Sequence, residues 1–149
     1  MRPLRNRSIL IVEDNEADIQ LIREAFQEAG NHHSMVFVRS GREALIHALS
    51  TCASDSALCD GRSPCLIILD FSIPDMSGEE VLQELRKHKA TRRIPIVVLS
   101  ASEKAEDVVS AYKLGANSFI CKTYSRQKFI EKIKYLYLYW LDVVQLPVA

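Results

Sequence analysis

The sequence predicts an α/β protein: a doubly wound five-stranded parallel sheet with five helices, a (βα)5 three-layer sandwich. Three observations carry that expectation. Short apolar runs bounded by turn residues alternate five times with segments of helical period. Runs such as SILIV and CLIIL are apolar at successive positions, as strands buried on both faces are. No internal repeat or linker interrupts the alternation, and right-handed crossovers then put helices on both faces of the sheet.

Ser8 to Val12 reads as the first strand. Ala17 to Ala29 reads as a helix, with Ile19, Ile22, Phe26 and Ala29 on one face and Gly30 at its end. Ser34 to Arg39 is a shorter strand, and Ser40 with Glu43 offers a capping box for a helix from Gly41 to Ser50. Thr51 to Pro64 has no period and reads as a surface loop. Cys65 to Leu69 is the third strand. Ser77 and Glu80 then start a helix whose stripe is Val81, Leu82 and Leu85. Ile94 to Leu99 is the fourth strand, with Pro95 near its start. Ser102 caps a helix from Glu103 to Leu114, closed by Gly115, and Ser118 to Cys121 is the last strand. A helix from Ser125 to Asp142 completes the order. The basic run RKHKATRR, Arg86 to Arg93, reads as a solvated loop.

The chain has 149 residues, the size of one domain with a single core. Lys and Arg number 19, as do Asp and Glu. With no net charge, bulk electrostatics supplies no argument for nucleic acid or an anionic membrane. The apolar run before Glu13 and Asp14 is too short for a signal peptide, and no stretch approaches the ~20 residues of a membrane span. A cytoplasmic protein is expected. Cys52, Cys59, Cys65 and Cys121 lack zinc spacing and read as reduced thiols, the last two in the core and the first two in an exposed connector.

In doubly wound sheets, ligands bind beyond the carboxyl ends of the strands, where strand order reverses. The residues just after the strands are therefore the informative ones. They are Glu13 and Asp14 after the first, Asp70 after the third, Ser100 after the fourth and Lys122 after the fifth. The second offers only Arg39 and Ser40, which predicts that it lies off the site. Asp14 alone would read as a helix cap and Lys122 alone as a solvated residue; their joint occurrence points to chemistry. Clustered carboxylates raise one another's pKa unless a cation sits among them. Oxygen donors without His or Cys suit Mg²⁺, which can bridge to a phosphoryl group. An ammonium adds a point charge for that group, and a carboxylate held there is a competent phosphoryl acceptor.

The set ILIVED, LIILDFSIPDMSG, IPIVVLSAS and ANSFICK, with its spacing from Asp70 to Ser100 to Lys122, resembles the receiver domain of two-component response regulators. That family's fold is flavodoxin-like. The resemblance spans Ser8 to Leu141, so residues 1–149 read as a single receiver domain with a core of 8–141 and a C-terminal extension of 142–149. It implies that Asp70 accepts a phosphoryl group from a histidine kinase. It implies Mg²⁺ held by Asp14, Asp70 and the backbone carbonyl of Ser72, with Glu13 acting through water. Lys122 would pair with phosphoryl oxygens, and Ser100 and Phe119 would form the switch. Ser100 would move toward the phosphoryl group, letting Phe119 turn inward and altering the face of the fourth helix, last strand and last helix.

Three departures stand out. Thr123 replaces the proline that usually follows the lysine, the connector at 51–64 is longer than in compact receivers, and the chain closes on YLYLYWLDVVQLPVA. Together they resemble the small response regulators paired with cyanobacterial phytochromes, which implies a phytochrome kinase as partner. In the closing stretch, Ile130, Ile133, Tyr137, Trp140 and Val144 supply a core stripe, leaving Tyr135, Leu138 and Tyr139 outward. That excess of apolar surface predicts a homodimer built on the last helix. The chain ends just after that helix, so a stand-alone regulator without an output domain is expected, not an independent enzyme. Two other readings compete with it. An aspartyl phosphatase wants a second carboxylate two residues after Asp70, where Ser72 stands; Asp75 follows Pro74 and reads as a loop residue. A phosphorylation-independent interaction module predicts a damaged acidic site, and Thr123 is the only hint of one.

Overall fold

The computed structural model describes residues 7–52 and 63–147. Its elements run β1 (Ile9–Val12), α1 (Glu16–Glu28), β2 (Met35–Val38), α2 (Gly41–Cys52), β3 (Leu66–Asp70), α3 (Gly78–Lys87), β4 (Ile96–Ser100), α4 (Ala105–Lys113), β5 (Ser118–Cys121) and α5 (Arg126–Leu138). The strands form one parallel sheet in the order β2-β1-β3-β4-β5. The expected five-stranded, doubly wound sheet is present, and strand order reverses between β1 and β3. Of the connector Thr51 to Pro64, Thr51 and Cys52 finish α2, while 53–62, with Cys59, lie outside the described residues.

The continuous apolar runs divide by parity between two cores, because successive strand residues face opposite sides. Ile9, Ile11, Leu66, Ile68, Val97 and Leu99 pack with Ile22 and Phe26 of α1 and Phe129 and Ile133 of α5. Leu10, Val12, Ile67, Leu69, Ile96 and Val98 pack with Ala44 of α2, Val81, Leu82 and Leu85 of α3 and Ala111 of α4. Every position of β1, β3 and β4 is buried, whereas all four of β5 are only half-buried. Cys65 is accordingly in the core, while Cys121, expected there, sits half-exposed at the sheet edge.

Local chemistry explains most boundaries. Gly30 and Gly115 have φ of 81° and 106°. Each follows a helix whose last carbonyls accept from the glycine and the next residue: Gly30 N–H to Gln27, Asn31 to Phe26, Gly115 to Tyr112, Ala116 to Ala111. Both are Schellman closures, which need a left-handed residue. Ser77 and Ser125 cap α3 and α5, accepting from the N–H of Glu80 and Lys128.

Three local readings are corrected. Ser102 does not cap α4: the helix begins at Ala105, and the Ser102 hydroxyl instead accepts from the Lys104 N–H and donates to Asp107. The last α-helix ends at Leu138 and continues as a π turn, Tyr139–Val143, closed by the Val144 N–H on the Tyr139 carbonyl at 3.0 Å. Beyond it Leu146 is buried in the core, and Arg7 donates to the Pro147 carbonyl at 2.7 Å. The basic run is not wholly solvated. The Arg86 guanidinium donates to the carbonyls of Gly115 (2.9 Å), Arg92 (3.0 Å) and Ile94 (2.7 Å) and to Asn117 Oδ1 (2.8 Å), and its burial lowers its pKa. Asp75 is in the loop after β3, as expected, and at φ 66° its Oδ1 also accepts from the Gly41 N–H at 3.1 Å, at the start of α2.

Candidate functional site

The site forms where the carboxyl ends of β1, β3 and β5 converge. The β1–β3 register pairs Val12 with Leu69, which sets Glu13 level with Asp70. Glu13 is fully buried and Asp70 is 3% exposed, whereas Asp14 faces solvent. One oxygen from each of Glu13, Asp14 and Asp70 lies within 4.8 Å of the other two. Burial of carboxylates this close is unfavourable without hydrogen bonds and opposite charge, and both are present. Glu13 Oε1 accepts from the Asn15 N–H at 3.1 Å, and Asp70 Oδ1 accepts from the Ser72 N–H at 2.9 Å.

The opposite charge is Lys122. Its backbone N–H is held by the Ser100 carbonyl at 2.7 Å, so the sheet edge aims the side chain inward. The ammonium donates to Glu13 Oε2, Asp18 Oδ2 and Asp70 Oδ2, each at 2.8 Å. Those three bonds use every N–H it has. Burial works against the Lys122 charge, but the hydrogen bonds it donates to Asp18, Asp70 and Glu13 outweigh it and its pKa is raised. Glu13 shows the other side of the balance. Burial first, then its hydrogen bond and charge repulsion with Asp70, push its carboxyl up to about 8 despite Lys122.

Asp18 was not among the sequence candidates. Asn15 caps α1 by accepting from the Asp18 N–H, which makes Asp18 the third helical residue, one turn beyond Asp14. A carboxylate one turn after the acidic pair was the available signal, but an acid in a first turn ordinarily answers the helix dipole. Ser100 and Phe119 do not join the carboxylates. Ser100 is buried at the end of β4, its Oγ accepting from the Ser102 N–H at 3.1 Å. Phe119 lies edge-on to Phe71, the residue after Asp70, with ring centroids 6.3 Å apart. Ser72 is exposed. The Lys122–Thr123 bond, like every peptide bond among the described residues, is trans.

Three carboxylates thus share one ammonium with Asp14 beside them, and burial first, then the nearby Asp70, raises Glu13. The donors are hard oxygens with no imidazole or thiolate among them, which fits a divalent cation of the Mg²⁺ or Mn²⁺ type. Such a cation, an ammonium and a buried, oriented carboxylate together can receive a phosphoryl group.

Residues 9–134 match the family model for the response regulator receiver domain. The chain is 30% identical to the response regulator Rcp1 of Synechocystis sp. over 141 residues, 95% of this chain and 93% of Rcp1. The crystal structure of the phosphorylated cyanobacterial phytochrome response regulator RcpA superposes with a TM-score of 0.82 at 34% identity, over 96% of this chain and 99% of that one. The Mn²⁺-bound form of Rcp1 gives 0.83 at 30% identity, over 95% and 99%. No helix among the described residues is long and apolar enough to cross a membrane.

Proposed function

The chain belongs to the response regulator receiver family, whose members take phosphoryl groups from histidine kinases, and we propose that Asp70 is its acceptor and a phytochrome-type kinase its donor. The observation that carries this is Asp70 itself: 3% exposed, with one oxygen fixed by the Ser72 N–H and the other by Lys122. Its carboxylate oxygen attacks phosphorus as the bond to the donor breaks, leaving an acyl phosphate. Lys122 then turns from the Asp70 carboxylate to a phosphoryl oxygen. Asp14, Asp70 and the carbonyl of Ser72 would hold Mg²⁺, with Glu13 acting through a water, and the ion would neutralise phosphoryl charge. The donor kinase is inferred from similarity to Rcp1 and RcpA.

Output is a change of surface. Ser100 rotates toward the phosphoryl group, and Phe119 follows into the space it leaves, altering the face of α4, β5 and α5. A near-complete swing takes about 5.5 kcal/mol of differential stabilisation, within reach of new charge-assisted bonds at a buried site. The readout is a homodimer on α5. Supporting it, Tyr135, Leu138, Tyr139 and Val143 are 39% to 70% exposed along its outer side. Of these, Tyr135 and Tyr139 line a groove of about 580 Å³ that also takes in Phe119, Ile120 and Cys121 of the edge strand. The site of action is the cytoplasm.

Incubation with acetyl phosphate and Mg²⁺ labels the wild-type chain, and Asp70→Asn abolishes the label. Persistent labelling of that variant overturns the acceptor assignment. Phosphotransfer timed against a panel of kinases identifies the donor, and a monomer by analytical ultracentrifugation in both states rejects the dimer.

A further inference from the structure

Lys122 is oversubscribed. Its three N–H groups are all given to carboxylates at 2.8 Å, so a phosphoryl oxygen gains one only when a carboxylate lets go. The three partners differ in how they can let go. Asp70 loses its negative charge when it becomes an acyl phosphate, so the reaction itself weakens that bond. Glu13 is fully buried, and no solvent can replace the ammonium there. Asp18 is neither consumed nor buried. Its side chain is 25% exposed, it belongs to α1 rather than to a strand end, and its backbone is pinned by the Asn15 cap. It keeps its charge and its place whatever happens at Asp70.

We infer that Asp18 is a positioning residue that competes with the phosphoryl group for Lys122 and so restrains phosphorylation. It acts through the lysine, and nothing in its geometry brings it to the reacting atoms. It also adds negative charge at the solvent side of a site that must admit an anionic donor. Both effects have the same sign. The inference rests on the proposed role of Asp70, and the experiment separates the two.

Phosphorylation rates are measured with acetyl phosphate, dianionic near neutral pH, and with phosphoramidate, a zwitterion of lower net charge. In each case the Asp70–phosphorus bond forms as the donor's bond to phosphorus breaks, the electron pair leaving with acetate or ammonia. Asp18→Asn accelerates labelling by acetyl phosphate about fivefold, the Coulomb effect of one charge several ångström away at the rim of a site. The gain with phosphoramidate is smaller, and the difference shrinks in high salt. Asp18→Glu, which keeps the charge, stays nearer the wild type than Asp18→Asn. A purely structural role would move both donors equally and would show no salt dependence. Rates within twofold of wild type for both donors, or slower labelling, in a variant with an unchanged melting curve overturn the inference. Should Asp18→Asn not fold, Asp18→Ser reads the same quantity. Asp70→Asn in the same background loses the label in any case; if it does not, the acceptor assignment fails instead.

Discussion

β3 and β5 do the same kind of work in opposite surroundings. Each is a parallel strand whose end delivers one charged group to the site, Asp70 from β3 and Lys122 from just beyond β5. β3 lies between two partners and is buried throughout; β5 is one of the two edge strands and half-exposed throughout. The loops that follow differ in the same way. After β3, a Cβ on Gly78 would meet the Phe71 Cα at 2.6 Å, and Asp75 ties the loop to α2. After β5, Tyr124 is wholly exposed and the Thr123 hydroxyl spans only to the Ser125 carbonyl. The proposed acceptor is set in the buried middle of the sheet, and the ammonium proposed to change partners follows a half-exposed edge strand. On that proposal, the scaffold pairs a buried nucleophile with a cation able to change partners, as a phosphorylation switch requires.

That contrast can be broken by paired substitutions. Ile68→Ala removes a fully buried β3 side chain, so it should cost about 2–5 kcal/mol. Ile120→Ala on half-buried β5 should cost about 1 kcal/mol. Urea denaturation measures both, and equal costs would remove the distinction. Gly78→Ala forces a methyl into the Phe71 backbone, an overpacking worth about 1–3 kcal/mol. Tyr124→Ala should fall within about 0.5 kcal/mol of wild type, being a surface change. A third test concerns the charge the site lacks. Glu13 holds its proton up to about pH 8 in the metal-free protein, so a cation that needs the ionised cluster must displace that proton. Mg²⁺ affinity should therefore rise with pH, by a factor approaching ten per unit below about 8, and level off above it. The same sign makes the metal-free fold lose the stability of this group as pH climbs from 4.5 through about 8, because the unfolded chain gives up the proton earlier. Calorimetric titration across that range, with Glu13→Gln as the flat control, tests both.

Much of this was legible in the chain. Asp70, Glu13, Asp14 and Lys122 could be picked out because each follows an apolar run, and a charge there has nowhere to go but the strand-end cleft. Ser40 and Glu43 were legible as a cap, although the Glu43 carboxylate accepts from the Arg39 N–H, one residue before the hydroxyl that holds its own N–H. Asp18 and Arg86 were not legible. Each has an ordinary local explanation, a first-turn acid and a member of a basic run, and each takes its partners from distant segments. Sequence periodicity reports which face of an element is buried, not what a long side chain reaches across it.

The order of elements, the division of each strand between two cores and the identity of the strand-end charges followed from the sequence, because they depend on apolar period and turn chemistry that act over a few residues. Which strands became the edges, which carboxylates share Lys122 and how the closing residues fold back after Leu138 were decided only in three dimensions. Those outcomes depend on strand order and on the balance of burial against charge, and both sum contributions from residues far apart in the chain.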